Sequence, residues 1–352
     1  MSNRLNFEII GSGPTGIFLS IALSKFELNI YLTDLLTREQ LISQDKTYAI
    51  THSTRKIFEK FSIWNKLKPY LFGFDKLSIS DSVTSSFTTL NICDLDEDIR
   101  VEKNIGWVVK HSDLMNVFFQ EIDNQSNIFF KSPQKLSQEK SIFHYKFISS
   151  GAIPIHRKSS KFLYIRKNYN QSCLTFKVLL RGNLERCAYE IFRDEGPLAL
   201  LPLEKNLYQI IWTSNTSKSI DRLNTDKNFL MDNLSTILPD YFKLDQIVGE
   251  VNLFPVSLSI NLSIFNSKKL LFVGDSFHTF HPVGGQGLNT CWRDVNNIFD
   301  ILNENSFISN NNLKFLKIKF YLNRFIDIFL TLVITDSLIT FFANRNYLLI
   351  PI

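Results

Sequence analysis

At 352 residues, with 44% hydrophobic and 21% charged side chains, the chain is too long for a small stapled scaffold and too apolar for a disordered one; two cores, or one large α/β domain carrying a smaller one, can enclose a buried cleft. The formal net charge of +5 is spread without a Lys/Arg block, which describes a mildly basic surface, argues against nucleic acid, and leaves a weak pull toward an anionic ligand or a membrane surface. The four cysteines, Cys93, Cys173, Cys187 and Cys291, stand far apart with no C-x-x-C pair and no His at metal-ligand spacing, so reduced, buried thiols are expected and a metal is not.

The first ten residues, MSNRLNFEII, run into a glycine turn instead of a long apolar core and a small-residue cleavage site; no secretory signal is expected, and the location reads as cytoplasmic. Residues 7–10 form a short β-rich run, GSGPTG follows at once, residues 17–25 have helical spacing and residues 29–33 read as a second strand. This is a βαβ unit. Residues 54–67 and 114–122 predict further helices and residues 143–149 a returning strand. Residues 76–92 alternate apolar and polar without helical spacing, as does much of 173–212, so two separate stretches predict antiparallel sheet and together one inserted domain. Residues 269–273 predict a buried strand ending in Gly274-Asp275, with a helix after it over about 288–302. A polar stretch, 303–312, then leads to an apolar helical end. Within that end, residues 326–343 are interrupted by Asp327 and Asp336, which predicts a packed or interfacial helix and not a clean membrane span.

Only 13 glycines occur in the chain, so each one carries weight. Gly11, Gly13 and Gly16 form G-x-G-x-x-G directly after a strand and at a helix start, where glycine allows a tight turn and the close approach of a pyrophosphate, and the helix N-terminus stabilises its charge. Asp34 ends the second strand, where a carboxylate can accept hydrogen bonds from a ribose diol. The plain alternative is a glycine turn that packs helix on strand, with Asp34 as a strand-end cap. That alternative leaves a second motif unexplained. In LLFVGDSFHTFHPVGGQGLNTCWRD, Asp275 stands at a strand end and a glycine-rich approach to a helix follows. Asp275 can hold sugar or ribityl hydroxyls, and amides around Gly285, Gly287, Leu288 and Asn289 can face an electron-rich ring edge, where the helix dipole stabilises negative charge.

With these residues in view, the sequence resembles the FAD-dependent aromatic-ring hydroxylases, specifically the ubiquinone-biosynthesis (polyprenylphenol) hydroxylase branch. The run HPVGGQGLNTCWRD at residues 281–294 is similar to that branch's signature, with Cys291 where a glycine is usual. The resemblance continues in CAYEIFRDEGPLALLPL at 187–203, FPVSLS at 254–259 and TDSLITFFAN at 335–344. It implies FAD contacts from Gly11, Gly13, Thr15, Gly16, Asp34, Asp275, Pro282, Gly285, Gly287, Leu288 and Asn289. Lys46 stands where the family usually has a flavin-contacting arginine, and His111 lies near another polar flavin contact. The family's middle G-A-D-G motif is here Gly151-Ala152-Ile153-Pro154: Ile cannot accept a hydrogen bond and Pro lacks an N–H, a departure that bears on reduction by NAD(P)H. His52, His144 and His156 fall in no constellation, whereas His278 and His281 lie in the glycine-rich loop, where a loop-stabilising hydrogen bond competes with proton transfer as their role. Tyr189, Phe192, Phe341 and Phe342 can line an apolar pocket or simply fill a core.

The resemblance implies an α/β architecture: a doubly wound FAD-binding (Rossmann-like) domain from residues 1–75, 96–160 and 260–302, an inserted antiparallel β-sheet substrate domain from 76–95 and 161–259, and a C-terminal helical region, 303–352. It implies an NAD(P)H-dependent monooxygenase that uses molecular oxygen to hydroxylate a polyprenylated phenol or quinone precursor, at a membrane surface or within a quinone-biosynthesis complex. No catalytic side chain is assigned, because the flavin supplies the redox chemistry. Two alternatives stand beside it: a flavin-dependent dehydrogenase or reductase of an isoprenoid substrate, and a degenerate FAD-binding scaffold.

Overall fold

In the computed structural model, which describes residues 4–100, 102–131, 143–151, 164–181, 186–239, 241–262, 269–304 and 313–344, β1 (Leu5–Ile10) runs into the Gly11 turn and α1 (Pro14–Leu23) starts straight after it. Pro14 at the first helical position forfeits an N–H that has no intrahelical partner in any case, so the helix begins there and not at residue 17. β2 (Leu28–Thr33) returns parallel to β1. The short α2 (Arg38–Ile42), closed by a Thr37–Gln40 capping box, leads to β3 (Thr47–Ile50).

The 54–67 stretch is not one helix. It is α3 (His52–Lys60) and α4 (Trp64–Leu67), separated where Ser62 takes a φ of +62°. After β4 (Phe72–Phe74) come the antiparallel hairpin β5 (Lys76–Asp81) and β6 (Phe87–Asn91), α5 (Glu97–Arg100), β7 (Gly106–Lys110), α6 (His111–Asp123), β8 (Ile128–Lys131) and β9 (Tyr145–Ile148). The second insertion contributes β10 (Tyr164–Arg181), β11 (Cys187–Phe192), β12 (Leu198–Pro202), β13 (Leu207–Asn215), α7 (Thr216–Leu223), α8 (Lys227–Ser235) and β14 (Lys243–Asn261). The chain then returns through β15 (Leu270–Phe272) and β16 (His278–Thr279) to α9 (Gln286–Asn303) and α10 (Leu313–Asn344).

Five strands form an all-parallel sheet in the order β15-β9-β1-β2-β8, and β3-β7-β4 form a small antiparallel one. The eight-stranded sheet has the order β16-β14-β10-β13-β12-β11-β5-β6, so both alternating stretches of sequence build one sheet. It is antiparallel as expected, except between β5 and β11, which run parallel. These two neighbours belong to different insertions, so no hairpin forces them to run in opposite directions.

Each sheet has its own core. Phe18 of α1 stacks on Phe118 of α6 at 5.7 Å and meets Phe58 and Phe61 edge-on, while Phe58 packs on Trp292 of α9 at 4.8 Å. On the large sheet, Leu174, Phe176, Ile191, Leu198, Ile210 and Trp212 face Leu230 and Leu234 of α8. Strand alternation therefore turns Cys173, Thr175, Glu190, Ala199 and Ile211 to the opposite face, toward the parallel-sheet body.

By length and composition, Phe315–Phe342 of α10 is long and apolar enough to cross a membrane, yet the helix packs one side on the body and its two aspartates are held by distant partners. Arg293 and Arg324 bind Asp327, and Lys167 and Tyr169 bind Asp336. One side of α10 buries Leu316, Phe320 and Ile328 on the body, and the other leaves Leu322, Phe325 and Ile326 65–69% exposed. Cys93 is exposed, against the expectation of four buried thiols, because it lies in the turn after the edge strand β6. The Ile153-Pro154 departure, His156 and the polar 305–312 stretch lie outside the described residues.

Candidate functional site

Where the parallel sheet meets the large one, a single cleft of about 910 Å³ opens. One wall is built by Gly11, Gly13, Thr15, Asp34, Lys46 and Tyr48, the floor by Asp275, Pro282, Gly285, Gly287 and Leu288, and the facing wall by Cys173, Thr175, Leu201, Ile211 and Phe254 on the large sheet.

Gly11 takes φ +105°, and a Cβ there would sit 2.6 Å from the backbone of Ser149 and Ser150. Only glycine lets β1 turn this close to the end of β9. A Cβ at Gly16 would lie 1.9 Å from the Gly11 carbonyl oxygen, so this glycine fixes how tightly α1 packs on the turn and does not line the cleft. Gly13 is different: nothing stands within 4 Å of its would-be Cβ, and it faces the open space. As N-cap of α1 it has no side chain to offer the first turn, so the orphan amides of that helix remain for a ligand. The Ser12 hydroxyl, buried at the same turn, has no partner either.

Asp34 accepts the Ser12 N–H at 2.5 Å and the Leu36 N–H at 2.9 Å. It therefore caps the strand end and also lines the cleft; a carboxylate has lone pairs enough for both tasks. Asp275 is exposed to the cleft, with protein packed around its base. Burial pushes its carboxyl up, and the nearby His278 and Lys46 charges pull it back. Burial likewise lowers Lys46 against the attraction of Asp275, so the two form an opposed pair across the cavity.

Besides Gly16, two expected contacts do not reach the cleft. His111 is 2% exposed and stands behind Tyr48: its Nε2 donates to the Leu41 carbonyl at 2.7 Å, which leaves Nδ1 to accept the Tyr48 hydroxyl at 2.8 Å. Burial lowers its pKa and keeps it neutral, consistent with that tautomer. Asn289 is fully buried; its carbonyl accepts from Thr51 and Thr54 and its amide donates to Ala49 and Gly285, which fastens the start of α9 to the β3–α3 turn. Both residues shape the site from behind.

The turn before α9 has Gly284 and Gly285 at φ +71° and +61°, and α9 has no side-chain N-cap. A second helix N-terminus is thus open at the floor of the same cleft. The loop histidines are structural: His278 bonds Asp294 at 2.8 Å, and His281 accepts the Val283 N–H and meets Gln171 at 3.2 Å. Asp294, fully buried, also accepts the Gly274 N–H at 3.0 Å and Arg324 Nε at 2.7 Å, so it locks Asp275's loop to α9 and α10. Burial alone would raise its carboxyl, but His278 and Arg324 outweigh that and hold it below the usual range. Neither Tyr48 nor Asp294 carries a sequence signal of its own, although Asp294 ends the 281–294 run.

A family model described as an FAD binding domain matches residues 153–306. Over that stretch the chain is similar to FAD-dependent monooxygenases. FAD is its cofactor and oxidation–reduction its chemistry. An uncharacterized protein of Synechocystis, slr1300, is 25% identical over 310 residues, 83% of this chain and 73% of that protein. The 3-demethoxyubiquinol 3-hydroxylase of Escherichia coli is 29% identical over 137 residues, which cover 38% of this chain and about a third (34%) of that enzyme. The mitochondrial ubiquinone biosynthesis monooxygenase COQ6 of Dictyostelium discoideum is 22% identical over 383 residues, covering 86% and 77%. Among solved structures, PqsL of P. aeruginosa in complex with 2-aminobenzoylacetate superposes with a TM-score of 0.80 at 13% identity over 97% of this chain and 98% of that one, which places the fold.

Proposed function

We propose that this FAD-dependent monooxygenase hydroxylates the aromatic ring of a polyprenylated phenol in ubiquinone-type quinone biosynthesis, with NAD(P)H as the electron donor and molecular oxygen as co-substrate. The observation that carries the reading is the two-sided cleft: a glycine turn with two open helix N-termini on one side, and a largely apolar sheet wall on the other. Bound FAD supplies the redox chemistry. The α1 turn would hold its pyrophosphate, Asp34 its ribose and Asp275 its ribityl chain, while the amides of Gly287 and Leu288 would stabilise negative charge at the ring edge. The apolar sheet wall excludes water and orients the substrate ring.

We place the enzyme on the cytoplasmic side of a membrane, held peripherally. The exposed Leu322, Phe325, Ile326 and Phe329 stripe of α10 suits an interfacial helix, and the opposite side of α10, pinned by Arg324 and Asp336, stays with the body. A tailed phenol would then be drawn from the bilayer. In the test, the FAD-loaded protein is mixed anaerobically with NADH or NADPH, with and without a prenylated phenol, then exposed to oxygen. Flavin bleaching that the phenol accelerates, followed by a product one oxygen heavier, supports the reading; product formed without oxygen would point instead to the dehydrogenase alternative. The Ile153-Pro154 departure favours one variation, a separate electron donor, which flavin that stays oxidised with both nucleotides would reveal.

A further inference from the structure

The large-sheet wall of the cleft carries few polar side chains, and most of them are spent on the protein itself. The Cys173 thiol shares a hydrogen bond with the Thr213 hydroxyl at 3.0 Å. Gln209 donates its amide hydrogens to the Phe176 and Ile210 carbonyls, and its own carbonyl accepts the Thr47 hydroxyl at 3.1 Å. Thr279 donates to the Ser257 carbonyl and meets the Ser259 hydroxyl at 2.9 Å. Ser257 is exposed on β14, one strand nearer the sheet edge than β10. Thr175 differs from all of these. It lines the cleft half-buried on β10, and among the described residues no group donates to its hydroxyl or accepts from it.

The fold sets that hydroxyl well inside the wall. β10 keeps one register from Gln171 to Thr175, so Thr175 lies four residues, about 13 Å, from Gln171, which meets His281 of the glycine loop. On one side Thr175 pairs with Ile211, which also lines the cleft; on the other it pairs with Asn252, which does not. Just past that pair the register shifts, and Lys177 is next matched with Val248, so β14 bulges beside Thr175. Bulges bend a strand and re-aim its side chains, and they recur next to ligand sites. The residues around Thr175 on this wall, Leu201, Ile211 and Phe254, are apolar.

A lone hydroxyl in an apolar wall selects its ligand. While the cleft is open, water satisfies it. A ligand that covers it without replacing that hydrogen bond loses affinity, whereas one that presents a hydroxyl at the same point does not. Threonine suits the task, because its β-branch restricts χ1 on a strand and aims the oxygen at little entropic cost.

We propose that Thr175 binds the ring hydroxyl of the substrate and so selects hydroxylated rings over bare ones. The inference rests on the hydroxylation reading above. The phenol, the stronger acid of the two hydroxyls, donates to Thr175 Oγ1, and no proton changes owner. Leu201, Ile211 and Phe254 cover the rest of the ring.

The test compares the full-length, FAD-loaded protein with Thr175→Val, which keeps the shape and loses the hydroxyl, and with Thr175→Ser, which keeps the hydroxyl. Calorimetry measures the binding of a short-chain prenylated phenol and of the same molecule with its ring hydroxyl replaced by hydrogen. Thr175→Val should weaken the phenol by roughly 3–10-fold, the worth of one neutral hydrogen bond, while the bare-ring analogue binds as well as before or better. Thr175→Ser should bind the phenol nearly as wild type does, and FAD affinity should be the same in all three proteins. A Thr175→Val protein that weakens neither ligand, or both equally, overturns the proposal. So does one whose FAD affinity falls, which would assign the hydroxyl to the flavin. Wild type that binds no prenylated phenol overturns the proposal and the substrate reading together. Wild type whose phenol binding depends on Thr175, yet which forms no hydroxylated product with NAD(P)H and oxygen, sinks the hydroxylation reading instead and leaves Thr175 as the contact for a ring hydroxyl.

Discussion

The two glycines at the start of α1 should separate folding from cofactor binding. In Gly16→Ala the new methyl would sit 1.9 Å from the Gly11 carbonyl oxygen and 2.6 Å from Ser149 Oγ, so α1 must move by more than 1 Å or the turn must open. Ordinary contact distances begin near 3.4 Å, and the obstructing atom at Gly11 is backbone. Overpacking of this kind costs about 2–3 kcal/mol, a fall of several degrees in Tm for a chain of this size. In Gly13→Ala the methyl meets nothing within 4 Å, and Gly13 already has φ −70°, which alanine adopts freely. The apoprotein should keep its stability to within about 0.5 kcal/mol, because lost N-cap preference and the reduced freedom of the unfolded chain offset each other. The methyl does intrude on the space where a pyrophosphate must approach the α1 amides. Loss of one or two charge-assisted hydrogen bonds, about 1.5–3 kcal/mol, weakens FAD binding by roughly 10–100-fold. Thermal melts of the apoproteins and fluorescence titration with FAD decide it. Gly13→Ala with unchanged FAD affinity, or Gly16→Ala with unchanged Tm, would refute the assignment of the two glycines.

Asp294→Ala removes the shared partner of His278, Arg324 and the Gly274 amide, leaving Arg324 with Asp327 as its remaining carboxylate and its buried Nε without an acceptor; we expect a loss of about 3 kcal/mol in denaturant unfolding, with α10 released first in hydrogen exchange. Because the folded Asp294 carboxyl lies below its unfolded value, its stabilisation is complete above the ordinary aspartate range near 3.9 and drains away as pH falls through the lowered folded value; Asp294→Asn should therefore show a shallower acid limb of Tm below pH 4 than wild type. Replacing Leu322 and Phe325, 69% and 65% exposed, with glutamate should abolish co-sedimentation with lipid vesicles while leaving flavin absorbance intact; equal sedimentation of variant and wild type would remove α10 as the membrane contact.

The βαβ unit and the Gly274-Asp275 strand end were legible because their signals are local: apolar runs of strand length, glycines at fixed offsets and an acid at the next strand end. The alternating stretches at 76–92 and 173–212 were legible as strands, but not the parallel β5–β11 joint, which depends on the order in which distant segments meet. The break at Ser62 carries no Gly or Pro, and the apolar spacing runs straight through it. Asp327 and Asp336 looked like interruptions of an apolar helix because their partners, Arg293 and Lys167, lie far away in sequence. At the site, the cleft gathered ten of the thirteen residues expected there. The exceptions, Gly16, His111 and Asn289, are spent on packing and on backbone partners that only the fold supplies.

The absorbance spectrum of the purified chain after incubation with FAD and removal of free flavin tests the central claim most directly. The account predicts retained flavin bands, shifted from those of free FAD and weakened in Gly13→Ala. A protein that is folded by circular dichroism yet retains no flavin after reconstitution would contradict it.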